Sequence, residues 1–208
     1  MTDPNYTALL LVIDRSGSMK SIRDDMIGGL TTLLQKQAVE PGLTTVDVVI
    51  FDDEIETTAV LADPATLQIA LQPRGSTALL DAIGLAVSGF GARLAAIPEH
   101  ARPGTVVVVV ATDGLENASR EWTSAAVQQL LTQQREQYGW DFVFLGANQD
   151  AITTGQSLGF APGSSIDFAA SPSGVHEVTD SASRYLSSRR AGQAAAFTDE
   201  ERRRADRG

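Results

Sequence analysis

The sequence contains no cysteine, only two histidines, and few aromatic residues, which make up 6% of the chain. Without cysteine, disulfide bonds, thiolate metal sites and thiol catalysis are excluded. The resulting absence of disulfides agrees with a reducing compartment. No stretch approaches the roughly 18 uninterrupted apolar residues that a membrane helix requires. We therefore expect a globular protein without a transmembrane segment.

Basic residues are in the minority, with 16 Lys and Arg against 26 Asp and Glu and a formal net charge of −10. Sequence-independent binding of nucleic acid needs a basic surface that displaces counterions from phosphates, so the charge argues against that function. The N-terminal residues 1–5 are polar and lack the basic and apolar regions of a signal peptide. We expect a cytoplasmic protein that binds neither nucleic acid nor a membrane.

Apolar runs predict the strands of a sheet. Residues 8–13 and 105–111 are almost entirely apolar and β-branched. Because side chains alternate across a strand, a continuous apolar run predicts a strand that is covered on both faces, as in a central parallel sheet. Further strands are predicted at 46–51, at 140–145, from Ile55 as an antiparallel edge strand, and at 164–168.

Helical periodicity fills the gaps between these strands. Apolar side chains recur at helical spacing over 22–34, 79–94 and 127–138. Strands that alternate with helices predict a right-handed, doubly wound, mostly parallel α/β sheet with helices on both faces. We expect one domain over residues 1–170. A C-terminal helical extension, 171–208, should pack on it and finish in a frayed, arginine-rich end.

Three short polar segments follow strands or precede helices. They are Asp14-Arg15-Ser16-Gly17-Ser18-Met19, Gly75-Ser76-Thr77 and Thr112-Asp113-Gly114. Open α/β sheets bind ligands at the carboxyl ends of their strands, beside the point where the strand order reverses. If the strands at 8–13 and 105–111 are neighbours, Asp14 and Asp113 emerge side by side at that edge.

The chemistry of these segments suggests a cation site. Two carboxylates and three hydroxyls form an all-oxygen donor set, which hard cations such as Mg²⁺ prefer. Each segment alone is a weak signal, since such residues commonly cap a helix or form a turn. Three of them in order, each at a strand end or helix start, favour a divalent metal site at this edge of the sheet.

These segments resemble the metal-ion-dependent adhesion site (MIDAS) of von Willebrand factor A (VWA) domains. The likeness covers roughly residues 7–160, and all five ligand positions are present, in the form common among intracellular and bacterial members. It implies a six-stranded sheet with one antiparallel edge strand. It also implies that Ser16, Ser18 and Thr77 reach the metal directly, whereas Asp14 and Asp113 often act through water. Gly75-Ser76 departs from the family's frequent Gly-Gly.

The resemblance implies a protein interaction module rather than an enzyme. The cation, Mg²⁺ or else Mn²⁺ or Ca²⁺, would bind an Asp or Glu carboxylate of a protein partner, in an assembly of the ATPase-associated kind in which intracellular members often work. Two alternatives stay open. One is a Mg²⁺-dependent phosphoryl-transfer or hydrolytic enzyme that uses Asp14 or Ser16. The other is a scaffold whose metal site is structural or vestigial.

Other polar residues near these segments have simpler interpretations. Glu116 and Asn117 are expected to be solvated loop residues, and Asp52-Asp53 a hairpin turn. Arg15 could steer an acidic ligand or point into solvent. His100 and His176 lie in loop-like contexts with no evident nucleophile, so neither is assigned a catalytic role.

Overall fold

The computed structural model describes residues 1–147 and 150–207. Six strands form one sheet in the order β3-β2-β1-β4-β5-β6. The strands are β1 (Asp3–Asp14), β2 (Leu43–Phe51), β3 (Ile55–Ala62), β4 (Pro103–Thr112), β5 (Asp141–Ala147) and β6 (Ser165–Phe168). Every pair is parallel except β2 with β3 at the edge. The predicted fold class, a mostly parallel six-stranded α/β sheet with one antiparallel edge strand, is confirmed.

Six α-helices surround the sheet. They are α1 (Arg23–Ala38), α2 (Leu79–Ala96), α3 (Ser124–Tyr138), α4 (Ala151–Ser157), α5 (Pro172–Arg190) and α6 (Asp199–Arg207). The apolar residues of α1 and α5 share one core with the sheet, whereas those of α2 and α3 share the other. The sequence analysis did not predict α4, because seven residues are too few to show a helical period.

The central strand β1 explains why the sheet is covered on both faces. Leu9, Leu11 and Ile13 face the core on the α1 side, and Leu10 and Val12 face the core on the α2 side. All five are essentially inaccessible to solvent. The chain leaves β1 towards β2 on one side and later returns as β4 on the other. The carboxyl ends of β1 and β4 therefore flank the point where the strand order reverses, and that crevice is where open α/β sheets bind ligands.

Helix α2 is more apolar than the sequence analysis suggested. Among the described residues it is the one helix whose length and composition would suffice to cross a membrane. Its side chains Ile83, Val87 and Phe90 are buried against the sheet. Core helices of globular domains have this composition as well, so the helix is accounted for by its packing.

The C-terminal segment differs from the expected frayed end. Glu201 and Ala205 of α6 are buried, and Arg184 of α5 forms an ion pair with Glu201. Arg202 donates hydrogen bonds to backbone carbonyl oxygens of 162 and 165, at the start of β6. Arg202, one of the arginines that suggested a solvated tail, instead attaches α6 to the outer edge of β6, and the Arg184–Glu201 ion pair attaches α6 to α5. Such an edge is commonly covered in this way.

Candidate metal centre

The ends of β1 and β4 lie side by side and carry the first contacts of the site. The two strands pair in register up to Ile13 and Ala111, so Asp14 and Thr112 are the next residues on each. The Thr112 hydroxyl donates a hydrogen bond of 2.6 Å to Asp14 Oδ2. The sequence analysis did not include Thr112 in the site, although this hydroxyl orients the carboxylate on which the site is built.

A chain of hydrogen bonds joins four of the five residues predicted to bind the metal. The backbone N–H of Ser16 donates to Asp14 Oδ1 at 2.6 Å. The hydroxyl oxygens of Ser16 and Ser18 lie 3.0 Å apart. The Ser18 hydroxyl in turn donates to Asp113 Oδ1 at 2.6 Å. The structure thus brings Asp14, Ser16, Ser18 and Asp113 into direct contact, across a sequence separation of 99 residues.

Thr77 is held beside the same carboxylate by a second loop. The Thr77 N–H donates to Asn117 Oδ1 at 2.9 Å, and the Asn117 N–H donates to the Thr77 carbonyl at 3.1 Å. A β-carbon at Gly114 would lie 2.7 Å from Thr77 Oγ1 and 3.5 Å from Asp14 Oδ2. The Thr77 hydroxyl and the Asp14 carboxylate therefore both border Gly114, and all five predicted residues surround one small region.

Asp14 is a buried acid without a basic partner. It is fully inaccessible to solvent. Burial, with a smaller contribution from the nearby Asp113 carboxylate, raises its pKa from 3.8 to about 6, against the hydrogen bonds from Thr112 and Ser16. Burial also raises the pKa of Asp113, while the hydrogen bond from Ser18 lowers it. Within 1–147 and 150–207, neither carboxylate forms an ion pair with a basic side chain.

The nearby Asp52 is also a buried acid, but its charge is compensated by basic side chains. Burial alone would raise the pKa of Asp52, but hydrogen bonds from the Glu54 N–H and from Arg74, with the positive charge of Arg15, lower it overall. Arg15 Nε donates to Asp52 Oδ2 at 3.0 Å, and Arg74 Nε donates to the same oxygen at 2.7 Å. Asp52 is charge-compensated, whereas Asp14, equally buried, is not.

The pair of uncompensated carboxylates fits a divalent cation. Two acids in a partly buried site repel each other unless a positive charge lies between them. The surrounding hydroxyls of Ser16, Ser18 and Thr77 complete an oxygen donor set suited to a hard cation. In the described part of the chain, no group of three or more His, Asp or Glu side chains offers an alternative metal site. The residues present therefore fit the metal that the sequence predicts.

Arg15 and Asp52 form a network of ion pairs near the site that the sequence analysis did not predict. Arg15 is buried and pairs with Asp52 and Glu56, so it neither points into solvent nor faces an incoming ligand. The Arg15 carbonyl accepts a hydrogen bond from the Arg74 N–H, which ties the first loop to the segment that leads to Thr77. Asp52 and Asp53 form the turn of the β2–β3 hairpin, as predicted, and Asp52 is in addition the centre of this network.

Glu116 and Asn117 lie in the loop after β4, as expected, and Asn117 is exposed, but both also make hydrogen bonds that the sequence analysis did not predict. Glu116 Oε2 accepts hydrogen bonds from the Leu80 N–H and the Ser119 hydroxyl, and Oε1 accepts from the N–H groups of Ala118 and Ser119. Asn117 makes the two hydrogen bonds to the Thr77 backbone. These residues hold the loop after β4 against the start of α2. A carboxylate at the N-terminus of a helix is a favourable arrangement, because it interacts with the positive end of the helix dipole.

The two histidines lie away from the site along the chain and in the fold. His100 belongs to a short turn that precedes β4, at the opposite end of that strand from Thr112. His176 lies in α5, on the face covered by α1. The structure thus places no histidine beside Ser16 or Asp14.

Comparison with solved structures shows several proteins with the same fold. Proximal thread matrix protein 1 from the mussel byssus matches with a TM-score of 0.63 and 17% identity, over 88% of this chain and 46% of its own. A second structure of that protein, described as having a zinc-occupied MIDAS motif, matches with a TM-score of 0.58 and 16% identity over the same shares of the two chains. The vWF domain of the type V pili tip protein Mfa5 from Porphyromonas gingivalis matches with a TM-score of 0.64 and 12% identity, over 93% of this chain and 98% of its own.

These likenesses define the class of fold. At such low identity they establish architecture alone, and that architecture is the VWA fold. The chain spans less than half the length of the mussel protein. No protein-family model matches the sequence, and no curated protein matches it.

Proposed function

We propose that this protein is a metal-dependent protein-interaction module of the intracellular, bacterial type. A divalent cation held by Asp14, Ser16, Ser18, Thr77 and Asp113 would bind an Asp or Glu carboxylate of a protein partner. The observation that carries the proposal is that Asp14 and Asp113 meet the hydroxyls of Ser16, Ser18 and Thr77 and, among the residues that the structure describes, form no ion pair with a basic side chain. A cation there would neutralise the two acids and leave a position for an external oxygen.

Mg²⁺ is the metal we propose, with Mn²⁺ or Ca²⁺ as substitutes, because all five donors are oxygen atoms. The zinc described at the MIDAS of the mussel protein supports a divalent cation at this position of the fold. The Thr112 hydroxyl and the Ser16 N–H would fix the orientation of the Asp14 carboxylate. Asn117, which accepts a hydrogen bond from the Thr77 N–H, would fix the position of the Thr77 hydroxyl.

We further propose that the protein is cytoplasmic, is not an enzyme, and binds neither nucleic acid nor a membrane. The net charge of −10 supports the absence of nucleic-acid binding. The position of the histidines supports a role in recognition, because His100 and His176 both lie away from Ser16 and neither can serve it as a general base. The partner would belong to a multi-protein assembly, such as one built around an ATPase.

The metal is tested by titrating Mg²⁺, and separately Mn²⁺, into metal-stripped protein in a calorimeter. We expect saturable binding of one ion, and its loss in Asp113→Ala. Asp63→Ala is the matched control, because this exposed carboxylate follows β3 at the opposite end of the sheet from the site and should leave binding unchanged. Absence of binding by the wild-type protein would contradict the proposed metal site.

The partner is tested by affinity capture from the source organism's lysate, in parallel with Mg²⁺ and with EDTA. A protein retained only with Mg²⁺, and lost with Asp113→Ala bait, supports recognition through the cation. Retention that is unaffected by EDTA would favour a scaffold with a structural metal. Turnover of an aryl phosphate or ester that disappears in Asp14→Ala would favour the enzyme instead.

A further inference from the structure

An open cavity of about 480 Å³ lies between α2 and α3. Its walls include Leu94 of α2, Leu130 of α3, Val106 near the start of β4, and Trp140 directly before β5. Pockets that bind small molecules have volumes of this order and mostly apolar walls with a few polar groups. The amino ends of β4 and β5 border this α2–α3 cavity, so it lies at the opposite end of the sheet from the candidate metal centre.

Gly91 of α2 leaves part of this space open. It lines the cavity, and a β-carbon at this position would lie 3.6 Å from Trp140 Cη2 and 3.9 Å from Gln134 Nε2. These are ordinary van der Waals distances, so there is room for a side chain that the sequence does not supply. Glycine is also less favourable than alanine inside a helix. The close packing that is typical of protein interiors is therefore interrupted at this point.

Two polar groups of the cavity wall have no hydrogen-bond partner in the described part of the chain. Trp140 is 6% exposed, and its indole N–H donates to no residue within 1–147 and 150–207. The side-chain amide of Gln134 makes no hydrogen bond among the same residues. A buried indole N–H usually has a partner. The Trp140 ring is held by Phe90, at 5.6 Å between ring centroids, so its N–H is a fixed donor that a ligand could use.

Arg102 supplies a positive charge to the cavity wall, and no acidic side chain is among the described residues that line it. Its Nε donates to the Ile97 carbonyl at 2.7 Å, and its Nη2 donates to the Ala95 carbonyl at 2.6 Å. These bonds fix the guanidinium group and leave Nη1 without a partner in the described ranges. Glu99 pairs with the Met1 ammonium group instead. A fixed guanidinium group of this kind favours an anionic ligand.

We propose that the α2–α3 cavity binds a small aromatic acid. The aromatic part would pack on Trp140 and Leu130, which removes apolar surface from water. The carboxylate would pair with Arg102, and the Trp140 N–H and the Gln134 amide would donate to oxygen atoms of the ligand. This site is separate from the metal centre and goes beyond the proposed function.

Titration of 2-naphthoate into ¹⁵N-labelled protein in EDTA tests the site by NMR. The chain has two tryptophans, so the spectrum has two indole N–H resonances, which a Trp122→Phe variant assigns. We expect the Trp140 resonance to shift saturably, with a Kd of about 1 mM or tighter for a ligand of this size. The Trp122 resonance is the internal control and should not shift, because Trp122 packs on Gly84 and does not line the cavity.

A neutral analogue tests the charge. 2-Naphthamide has the same shape as 2-naphthoate and should bind about ten-fold more weakly, because it cannot form a charge-assisted hydrogen bond with Arg102. Arg102→Gln should bind the acid and the amide equally. Its affinity for the amide should match that of the wild-type protein, which separates loss of the charge from damage to the cavity.

Two glycine variants locate the binding. Gly91→Leu should weaken 2-naphthoate at least about ten-fold, because its side chain would occupy part of the cavity. Gly89→Leu is the matched control in the same helix. Gly89 does not line the cavity, and its β-carbon would meet only the flexible end of Arg93, at 3.6 Å. Gly89→Leu should therefore retain the wild-type affinity.

Three results would overturn the inference. The first is no saturable shift of the Trp140 resonance at about ten times the expected Kd. The second is a shift that persists unchanged in Gly91→Leu, since the ligand would then bind outside the cavity. The third is equal binding of acid and amide by the wild-type protein, which would contradict the role of Arg102. Because all titrations are made in EDTA, none of these results depends on the metal centre.

Discussion

Asp14→Asn should stabilise the metal-free protein at neutral pH while it abolishes the response to metal. In the folded, metal-free protein, burial places the pKa of Asp14 at about 6 rather than 3.8. A folded-state pKa above the unfolded value means that the folded protein holds the proton more tightly. Stability from this group is therefore present below about pH 4 and is lost as the pH rises through about 6. The difference corresponds to about 3 kcal/mol at pH 7.

Asparagine preserves the shape of Asp14 and removes the charge. Its amide oxygen can accept the hydrogen bond from the Ser16 N–H, and its NH₂ can donate to Thr112 Oγ1, so both contacts of the carboxylate have a replacement. In EDTA at pH 7, the variant should gain up to about 3 kcal/mol in free energy of unfolding over wild type. The gain should shrink as the pH falls towards 4, because wild-type Asp14 is then protonated.

The assay is urea denaturation of both proteins from pH 4 to pH 8, in EDTA and in excess Mg²⁺. The difference between the two free energies of unfolding at each pH isolates the contribution of Asp14 from that of the remaining titrating groups. Asp52→Asn is the matched control with the opposite sign, because it removes the charge that compensates Arg15 and should cost about 2 kcal/mol. The reasoning would be refuted if Asp14→Asn were less stable than wild type at pH 7 in EDTA, or if Mg²⁺ stabilised both equally.

Three further changes test other parts of the structure. Gly114→Ala adds a β-carbon 2.7 Å from Thr77 Oγ1 and should displace that hydroxyl. The affinity for Mg²⁺, measured by calorimetry, should fall about ten-fold. An unchanged affinity would remove Thr77 from the donor set. Ser18→Ala should weaken the binding of Mg²⁺ and of the protein partner together, and undiminished binding of both would count against the proposed site. Gly29→Ala would place its β-carbon 2.7 Å from a threonine hydroxyl of α5 and should lower the free energy of unfolding, measured in urea, by about 1–3 kcal/mol. Gly28→Ala in the same helix meets no atom within 4 Å and should not destabilise the protein.

The sheet was predictable because its central strands appear in the sequence as continuous apolar runs. The apolar runs at 8–13 and 105–111 are the buried cores of β1 and β4, and the parallel arrangement follows from their cover on both faces. The convergence of Asp14 and Asp113 was predictable for a related reason, since each follows one of these strands directly. Where two parallel strands are neighbours, the residues after them must meet.

The supporting contacts of the site were not predictable in the same way. Glu116 and Asn117 reach backbone groups of α2 and of the Thr77 loop that are 36 and 40 residues away in sequence. Polar side chains in a loop look alike in sequence whether they face water or a distant backbone. Arg15 was ambiguous for this reason as well, because its burial depends on the position of Asp52 in the tertiary structure.

Segments without a repeating pattern were also beyond the sequence analysis. Between β3 and α2 the chain forms neither helix nor strand, yet it buries Ile69 and Leu71 in the core on the α1 side. Two isolated apolar residues in an irregular segment give no period to detect. The arginine-rich end, in turn, packs because Glu201 and Ala205 meet α5 and β6, which the composition of α6 alone does not reveal.

The most direct test of the central claim is anomalous diffraction from crystals grown with Mn²⁺. The proposed site predicts one anomalous peak bounded by Asp14, Ser16, Ser18, Thr77 and Asp113, with hydroxyl or water oxygens at coordinating distance and no such peak in crystals of Asp113→Ala. Two results would contradict a metal-dependent interaction site at the ends of β1 and β4. One is the absence of an anomalous peak there at saturating Mn²⁺, and the other is a peak on the wild-type protein that lies only at another position.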